Sequence, residues 1–508
     1  MNAIPRSDLI GPGVCIAVTL AVFAIVYALA GGAVFPSDDA FINLHNANVL
    51  RLGHDDNYAG VPALVGATSG VHLTLLMAFE QIIHPDTLAL FVLGAVTGVV
   101  YVLGVFGVCI NAGCSRRDAT LIALASLVLA GTLFQLLNGM DTGLAMAAVA
   151  WTIKLVTDKR RSLWLPILCG IMPFIRPELS FLAAGAMLIL LSARDRALGF
   201  KLTAAALSIA SAAPFLVWYW IDTGSFIPNT VGAKMYFFAE RHADLSTKAL
   251  FVSGALAQAV VASFPLFLCF RFARLRALEL MLALFAIVFV ASFFWRLPGG
   301  LAHNGGRYLY VFAPIVLFGV AGALASNHRK QALRIVAISA LFVPLGFGAQ
   351  FNIYKTHILG YRQSLADVVS WMNANLPERP MVMVHDAGYV AYAGHTALVD
   401  LVGLKTPAAT AIHAALTYPS VGRQRPEAVA SIAAKFDAKY LLAIEDWNQR
   451  FGLAEGLREQ GWAVEEVYAG RAPADTPKVD IYRLFRLTPP DASRTADQAH
   501  LIETQRSR

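Results

Sequence analysis

The chain has 508 residues, of which 57% are hydrophobic and only 14% charged, against about 25% charged in a soluble globular protein. Mean hydropathy is +0.59, and the apolar residues fall in long runs, which excludes a soluble single-core domain and marks membrane spans. The net charge of +7 does not signal nucleic acid, because Lys and Arg collect in short loops between the apolar runs.

The first apolar run is 12–35. It follows Arg6 and is long for a signal h-region, so it reads as a retained first span. A polar and mixed stretch, 36–85, comes next. Its opening, Ser37-Asp38-Asp39-Ala40-Phe41-Ile42, predicts a helix over 40–52, with Ser37 or Asp38 as cap and acids in the first turn. Ten further apolar runs follow: 87–110, 118–137, 142–157, 163–175, 178–193, 202–221, 249–270, 278–296, 308–326 and 334–351. Together they predict about eleven spans. The short runs 163–175 and 178–193 read as a broken pair turning back at Arg176-Pro177-Glu178.

Alternate loops are basic. Arg6, Arg116-Arg117, Lys159-Arg160-Arg161, Arg194 with Arg196 and Lys201, Arg271 with Arg274 and Arg276, and Arg329-Lys330 with Arg334 all fall on one side of an eleven-span count. The positive-inside rule makes that side cytoplasmic. The N-terminus is then expected in the cytoplasm, and the 36–85 loop and the C-terminal region outside, in the periplasm.

From about Asn352 to Arg508 charges and Pro become frequent and no run reaches span length. Runs 381–384 and 439–444 read as buried strands, and 361–375 and 426–436 have helical periodicity, which predicts a soluble α/β domain. Residues after about 489 are polar and expected to fray. The expected organisation is a membrane module over 1–351 and an α/β domain over 352–508, without internal repeats.

The five cysteines, Cys15, Cys109, Cys114, Cys169 and Cys269, lie in or beside apolar runs, with no CxxC or Cys/His spacing. The C-terminal domain therefore has no disulfide. His45, His54 and His72 cluster in the first outer loop with Asp38, Asp39, Asp55 and Asp56. Their spacing fits no standard metal motif, so no metal or other cofactor is assigned, and a divalent cation stays open.

The adjacent carboxylates Asp38 and Asp39 are costly beside lipid and call for a wet cavity. Asp141 is a second acid on the expected outer side, or else the turn residue of Asn138-Gly139-Met140-Asp141. Arg176, Lys234, His303 and Arg307 are cations on that same side, where guanidinium and ammonium groups suit a phosphate. No G-x-S-x-G or Walker motif occurs.

Several motifs recur in a familiar order. Asp38-Asp39-Ala40-Phe41 is followed by Asn46, Gly53-His54 and Gly66-Ala67-Thr68-Ser69. Asn138-Gly139-Met140-Asp141-Thr142, Ile175-Arg176-Pro177-Glu178 and Pro228-Asn229-Thr230 with Lys234 come next. His303, Arg307-Tyr308, Asp386-Ala387-Gly388 and Asp400-Leu401-Val402-Gly403-Leu404 complete the series. Over about residues 10 to 410 this pattern resembles bacterial GT-C glycosyltransferases, the polyprenyl-phosphate-dependent group that includes mycobacterial terminal arabinofuranosyltransferases. The resemblance implies a GT-C-like polytopic α-helical membrane protein with a C-terminal soluble α/β domain. It further implies a polyprenyl-phosphate-linked sugar donor, arabinofuranosyl or mannosyl among the candidates, and a cell-envelope glycan or lipid acceptor. Asp38, Asp39 and Asp141 are the implied catalytic acids. Arg176, Lys234, His303 and Arg307 are implied to hold the donor phosphate, and Asn46, His54, Thr68, Ser69, Glu178 and Asn229 to bind substrate. One departure is Gly70-Val71-His72 where the group has an aromatic residue after G-x-T-S, which leaves sugar and acceptor open.

A transporter or flippase and a non-catalytic envelope-assembly factor are the alternatives. Transporters carry mid-span charges and repeated halves, and this sequence has neither.

Overall fold

The structure is a computed structural model that describes residues 6–158, 162–263, 265–272, 276–356, 359–360, 362–474 and 476–490. The basic residues Lys159, Arg160, Arg161 and Arg274, and the polar tail from 491 onward, lie outside the described residues. The chain forms two compact units. One comprises 1–47, 67–228 and 243–355, and the other 48–66, 229–242 and 356–508.

Each apolar run of the first unit contains helix. Among the described residues, six helices are long and apolar enough to cross a membrane: Ile10–Ala30, Asp86–Ala112, Leu198–Thr223, Ala277–Arg296, Pro298–Leu324 and Arg329–Thr356. Shorter apolar helices are Thr142–Thr157, Trp164–Ile175 and Pro177–Ser192. The run 118–137 is broken into Arg116–Ala125, Ser126–Val128 and Thr132–Leu137. Burial divides the spans. Over its most apolar stretch Asp86–Ala112 is 61% buried, whereas Leu198–Thr223 is 6% and Arg329–Thr356 11% buried. Their exposed Leu and Ile side chains have no other solvent than lipid. Where helices meet, small residues let backbones approach: a Cβ on Gly104 would lie 2.9 Å from that of Ala150. The pair expected to break at Arg176 does so. Trp164–Ile175 ends at Arg176, whose backbone is extended ahead of Pro177, and a 3-10 turn leads into Ser180–Ser192. A helix not foreseen in the 36–85 loop, Gly70–Glu80, starts from a Ser69 cap.

The second unit holds a five-stranded sheet: β1 (Met381–Val384), β2 (Ala397–Asp400), β3 (Tyr440–Ile444), β4 (Ala463–Ala469) and β5 (Tyr482–Thr488). The order is β2-β1-β3-β5-β4. β1 runs parallel to both β2 and β3, and β5 is antiparallel to β3 and β4. β1 and β3 are buried on both faces, as parallel strands under helices are. The helices expected over 361–375 and 426–436 are Arg362–Asn375 and Arg425–Lys435.

Two pieces from between the spans complete this unit. Asn57 from the 36–85 loop accepts the Leu398 amide of β2 at 2.9 Å and donates its side chain to the carbonyls of Thr396 (2.9 Å) and Gly394 (3.2 Å). The loop thus covers a sheet edge that would otherwise be open. The helix Thr230–Phe238 sets Phe237 among His413, Trp447 and Phe451. Arg425 caps that helix, donating to the Phe237 carbonyl at 3.1 and 3.3 Å.

Candidate functional site

In the first unit, the helix Asp38–Leu52 begins with its two acids in the first turn, where the helix dipole favours negative charge. Asp38 is buried, and so are His45 and Asn46 further along. Asp39 keeps 22% of its side chain exposed.

The partner of Asp39 comes from far along the chain. The segment after Ala277–Arg296 winds through 3-10 and α turns, Pro298–Ala302, His303–Gly306 and Arg307–Phe312. Asn304, Gly305 and Gly306 all have left-handed φ, of 50°, 67° and 74°, conformations that Asn and Gly tolerate. This turn delivers Arg307 Nη1 to 2.9 Å from Asp39 Oδ2. Asn304 Nδ2 donates to the same oxygen at 3.2 Å and to Ser37 Oγ at 3.3 Å. Gln135 Nε2 donates to the Asn304 carbonyl at 3.3 Å, and Asn138 Nδ2 to Gln135 Oε1 at 2.9 Å. His303 opens the turn.

A second cation also lies against Tyr308. Arg176 lies over the Tyr308 ring at 4.3 Å and Arg307 at 5.0 Å, both within cation–π range. Arg176 Nη2 and Nε reach Glu178 Oε1 at 2.6 and 2.8 Å. Its Nη1 stands 4.0 Å from Asp141 Oδ1, too far for a hydrogen bond. Arg307 also donates through Nη2 to Tyr308 Oη at 3.3 Å. Two buried guanidinium atoms, Arg176 Nη1 and Arg307 Nε, have no hydrogen-bond partner. Asp141 precedes the helix Thr142–Thr157, and its side chain makes no capping hydrogen bond to the helix amides. The turn before it is held by Asn138, whose Oδ1 accepts the Met140 amide at 2.9 Å. Asp141 is therefore not spent on the turn.

Asp39, Arg307, Tyr308, Arg176, Glu178 and Asp141 thus form one cluster within the first unit. Asn304 and Gln135 were missed in the sequence, although Asn304-Gly305-Gly306 beside a cation is a signal for a special turn. Ser69 is used structurally: its hydroxyl accepts the His72 amide and donates to the Phe174 carbonyl, each at 3.1 Å. Thr68, its neighbour, is half-buried.

His54, Lys234 and Asn229 belong to the second unit. His54 is exposed, 3.5 Å from Asp56, and Lys234 is half-buried on Thr230–Phe238. Asn229 ties the unit together, accepting the Gly66 amide at 3.1 Å and donating to the Leu404 carbonyl at 2.9 Å. Asp55 accepts the amides of Asn57 and Tyr58 at 3.0 and 2.8 Å and faces Lys405 Nζ at 3.7 Å, both side chains being at most 1% exposed. Among the described residues, no group of three His, Cys, Asp or Glu side chains is placed to hold a metal ion.

Asp400 ends β2 and accepts the amides of Val402 and Lys405, each at 2.8 Å. Burial still pushes its carboxyl up to about 6, against those hydrogen bonds. Burial lowers His413 to about 4; its ring nitrogens meet Thr417 Oγ1 and the Leu401 carbonyl, each at 2.7 Å. Asp386 accepts the Tyr482 hydroxyl and lies 3.2 Å from His385 Nδ1.

No curated protein matches the sequence. Residues 352–483 match a family model described as Domain of unknown function (DUF8728). Among solved structures, ArnT from Cupriavidus metallidurans, bound to undecaprenyl phosphate, superimposes with a TM-score of 0.54. It covers 93% of this chain and 97% of its own at 16% identity. The fold is that of the GT-C glycosyltransferases. The arabinofuranosyltransferase AftD from Mycobacteria has a TM-score of 0.49 at 15% identity; the match takes in 96% of this chain and 40% of that one. The apo oligosaccharyltransferase of Archaeoglobus fulgidus has 0.47 at 14%, over 87% of this chain and 71% of its own.

Proposed function

We propose that this chain is an integral-membrane glycosyltransferase. It moves a sugar from a polyprenyl-phosphate donor to a cell-envelope glycan or lipid acceptor at the outer face of the inner membrane. The observation that carries the reading is the Asp39–Arg307 pair, with Arg176 sharing the Tyr308 ring. Attack of an acceptor hydroxyl on the anomeric carbon needs a carboxylate to take the acceptor's proton and cations to stabilise the departing phosphate. Both stand within one cluster. The undecaprenyl phosphate bound to ArnT, whose fold this chain shares, supports the same donor class.

In this scheme the donor phosphate competes with Asp39 for Arg307. Arg307 Nε, which has no hydrogen-bond partner, offers a further donor. As the phosphate takes the guanidinium, Asp39 is released to accept the hydroxyl proton, with Asp38 buried next to it in the chain. Glu178 holds Arg176 in place, and Asp141 orients a substrate hydroxyl. The sugar is arabinofuranose, mannose or another pentose or hexose. The N-terminus is cytoplasmic and the sheet-bearing unit periplasmic, in keeping with the basic loops.

The test is a deletion strain carrying wild-type, Asp38→Asn or Asp39→Asn chains at equal protein levels, with envelope glycans read by mass spectrometry. Wild type restores a glycan that the deletion lacks, and Asp39→Asn loses it. Full restoration by Asp39→Asn refutes the proposed base. An envelope unchanged by the deletion refutes the enzyme reading.

A further inference from the structure

We propose that Asn304 is the positioning residue of Asp39 and that Gln135 and Asn138 hold it there, so that one chain of amides sets the base against the turn that carries Asp141. This rests on the reading of Asp39 as the base. The backbone supplies the first observation. Asn304, Gly305 and Gly306 are three successive residues with left-handed φ, a conformation for which glycine is the default. Asn is a tolerated exception, and here its side chain is used. Asn304 Nδ2 carries two hydrogens, and it donates to Asp39 Oδ2 at 3.2 Å and to Ser37 Oγ at 3.3 Å.

The second observation is direction. An ionised carboxylate only accepts hydrogen bonds, so the amide nitrogen of Asn304 must face Asp39. The Met140 amide donates to Asn138 Oδ1 at 2.9 Å, Asn138 Nδ2 to Gln135 Oε1 at 2.9 Å, and Gln135 Nε2 to the Asn304 carbonyl at 3.3 Å. Every link donates toward Asp39, and the chain starts one residue before Asp141. Met140 Sδ also lies 3.9 Å from Asn304 Nδ2 and meets Arg307 Nη1, so the turn touches both Asn304 and Arg307 directly. Gln135 and Asn138 are 5% and 3% exposed. Buried amides are costly unless bonded, and the bonds of Gln135 join the Asp141 turn to Asn304.

Arg307 and Asn304 meet the same oxygen of Asp39. In the proposed reaction Arg307 turns to the donor phosphate. Asn304 is neutral and fixed at both ends, so it stays and keeps Asp39 aimed while the acceptor proton arrives. Arg307 alone cannot do both.

The experiment uses the full chain and two readouts. One is undecaprenyl phosphate binding in nanodiscs. The other is the initial rate at which the glycan reappears when each chain is induced in the deletion strain, at equal protein levels. Asn304→Gly keeps the left-handed turn and its carbonyl and removes only the donor. Its rate is expected to fall about 10²-fold, as for a misplaced catalytic group, with undecaprenyl phosphate affinity unchanged. Gln135→Met should cost about tenfold for lost hydrogen bonds, and adding it to Asn304→Gly should cost little more, because the two act in series. No binding of undecaprenyl phosphate by wild type overturns the donor reading and the positioning role together. A wild-type rate in Asp39→Asn, run alongside, overturns the base reading and with it this role. A wild-type rate in Asn304→Gly overturns the positioning role and leaves the donor reading standing. Loss of both rate and affinity in Asn304→Gly makes Asn304 a structural residue of the turn and also overturns it. Strictly multiplied losses in the double variant overturn the series from Gln135.

Discussion

Replacing Lys405 by Met tests whether the 48–66 segment and the sheet fold as one body. Lys405 Nζ lies 3.7 Å from Asp55 Oδ2, and the two side chains are 0% and 1% exposed. At an effective dielectric near 20 their attraction is about 4.5 kcal/mol, and removing one partner of a buried pair costs about 3–5 kcal/mol by leaving the other charge uncompensated. Asp55 keeps its two backbone amides, which places the expected loss toward the lower figure, about 3 kcal/mol. With a urea slope near 2 kcal/mol/M the midpoint falls by about 1.5 M. Pulse proteolysis across a urea series, following fragments of 356–490, measures it. Asp55→Asn with Lys405→Met is expected to recover about 1–2 kcal/mol, the coupling expected of groups in direct contact. A midpoint unmoved by Lys405→Met, or strict additivity in the double variant, refutes the reasoning.

Arg307→Lys keeps the charge but loses the fork that meets Asp39 and Tyr308. Donor-lipid turnover in membranes should fall by about 10²–10³-fold, with Arg307→Met lower still, and equal activity of all three would refute its role at the phosphate. Asp400 and His413 should oppose each other in acid. The raised Asp400 gives stability present below pH about 4 and lost as pH rises through about 6, whereas the lowered His413 gives stability present above about 6.5 and lost as pH falls through about 4. Each amounts to about 3 kcal/mol, so wild-type proteolysis should vary little between pH 4 and 6.5. Asp400→Asn should expose a loss of stability on acidification, and His413→Gln a loss as pH rises. Flat profiles in both variants would contradict these environments. Disrupting the cap should also register: Arg425→Met leaves the Phe237 carbonyl without its donor and costs about 1–3 kcal/mol by the same proteolysis.

Local pattern determined much of this protein. Long apolar runs form helices because lipid and buried interiors both require the backbone to satisfy itself, and all the runs read from the sequence have helices in them. The acids of Asp38 and Asp39 begin a helix, Arg176 breaks one ahead of Pro177, and the short apolar runs at Met381 and Tyr440 are strands, since these choices depend on neighbours a few residues away. Only tertiary structure paired Asp39 with Arg307 and Asn304, placed Arg176 and Arg307 over one tyrosine, and turned Asp55 to Lys405. It also drew 48–66 and 229–242 out of the membrane module, where chain order puts them, into the unit with the sheet. The physical reason is that periodicity records which face of an element is apolar, whereas the partner of a buried charge or of an open strand edge is chosen by whichever distant segment can satisfy it, and composition carries no trace of that choice.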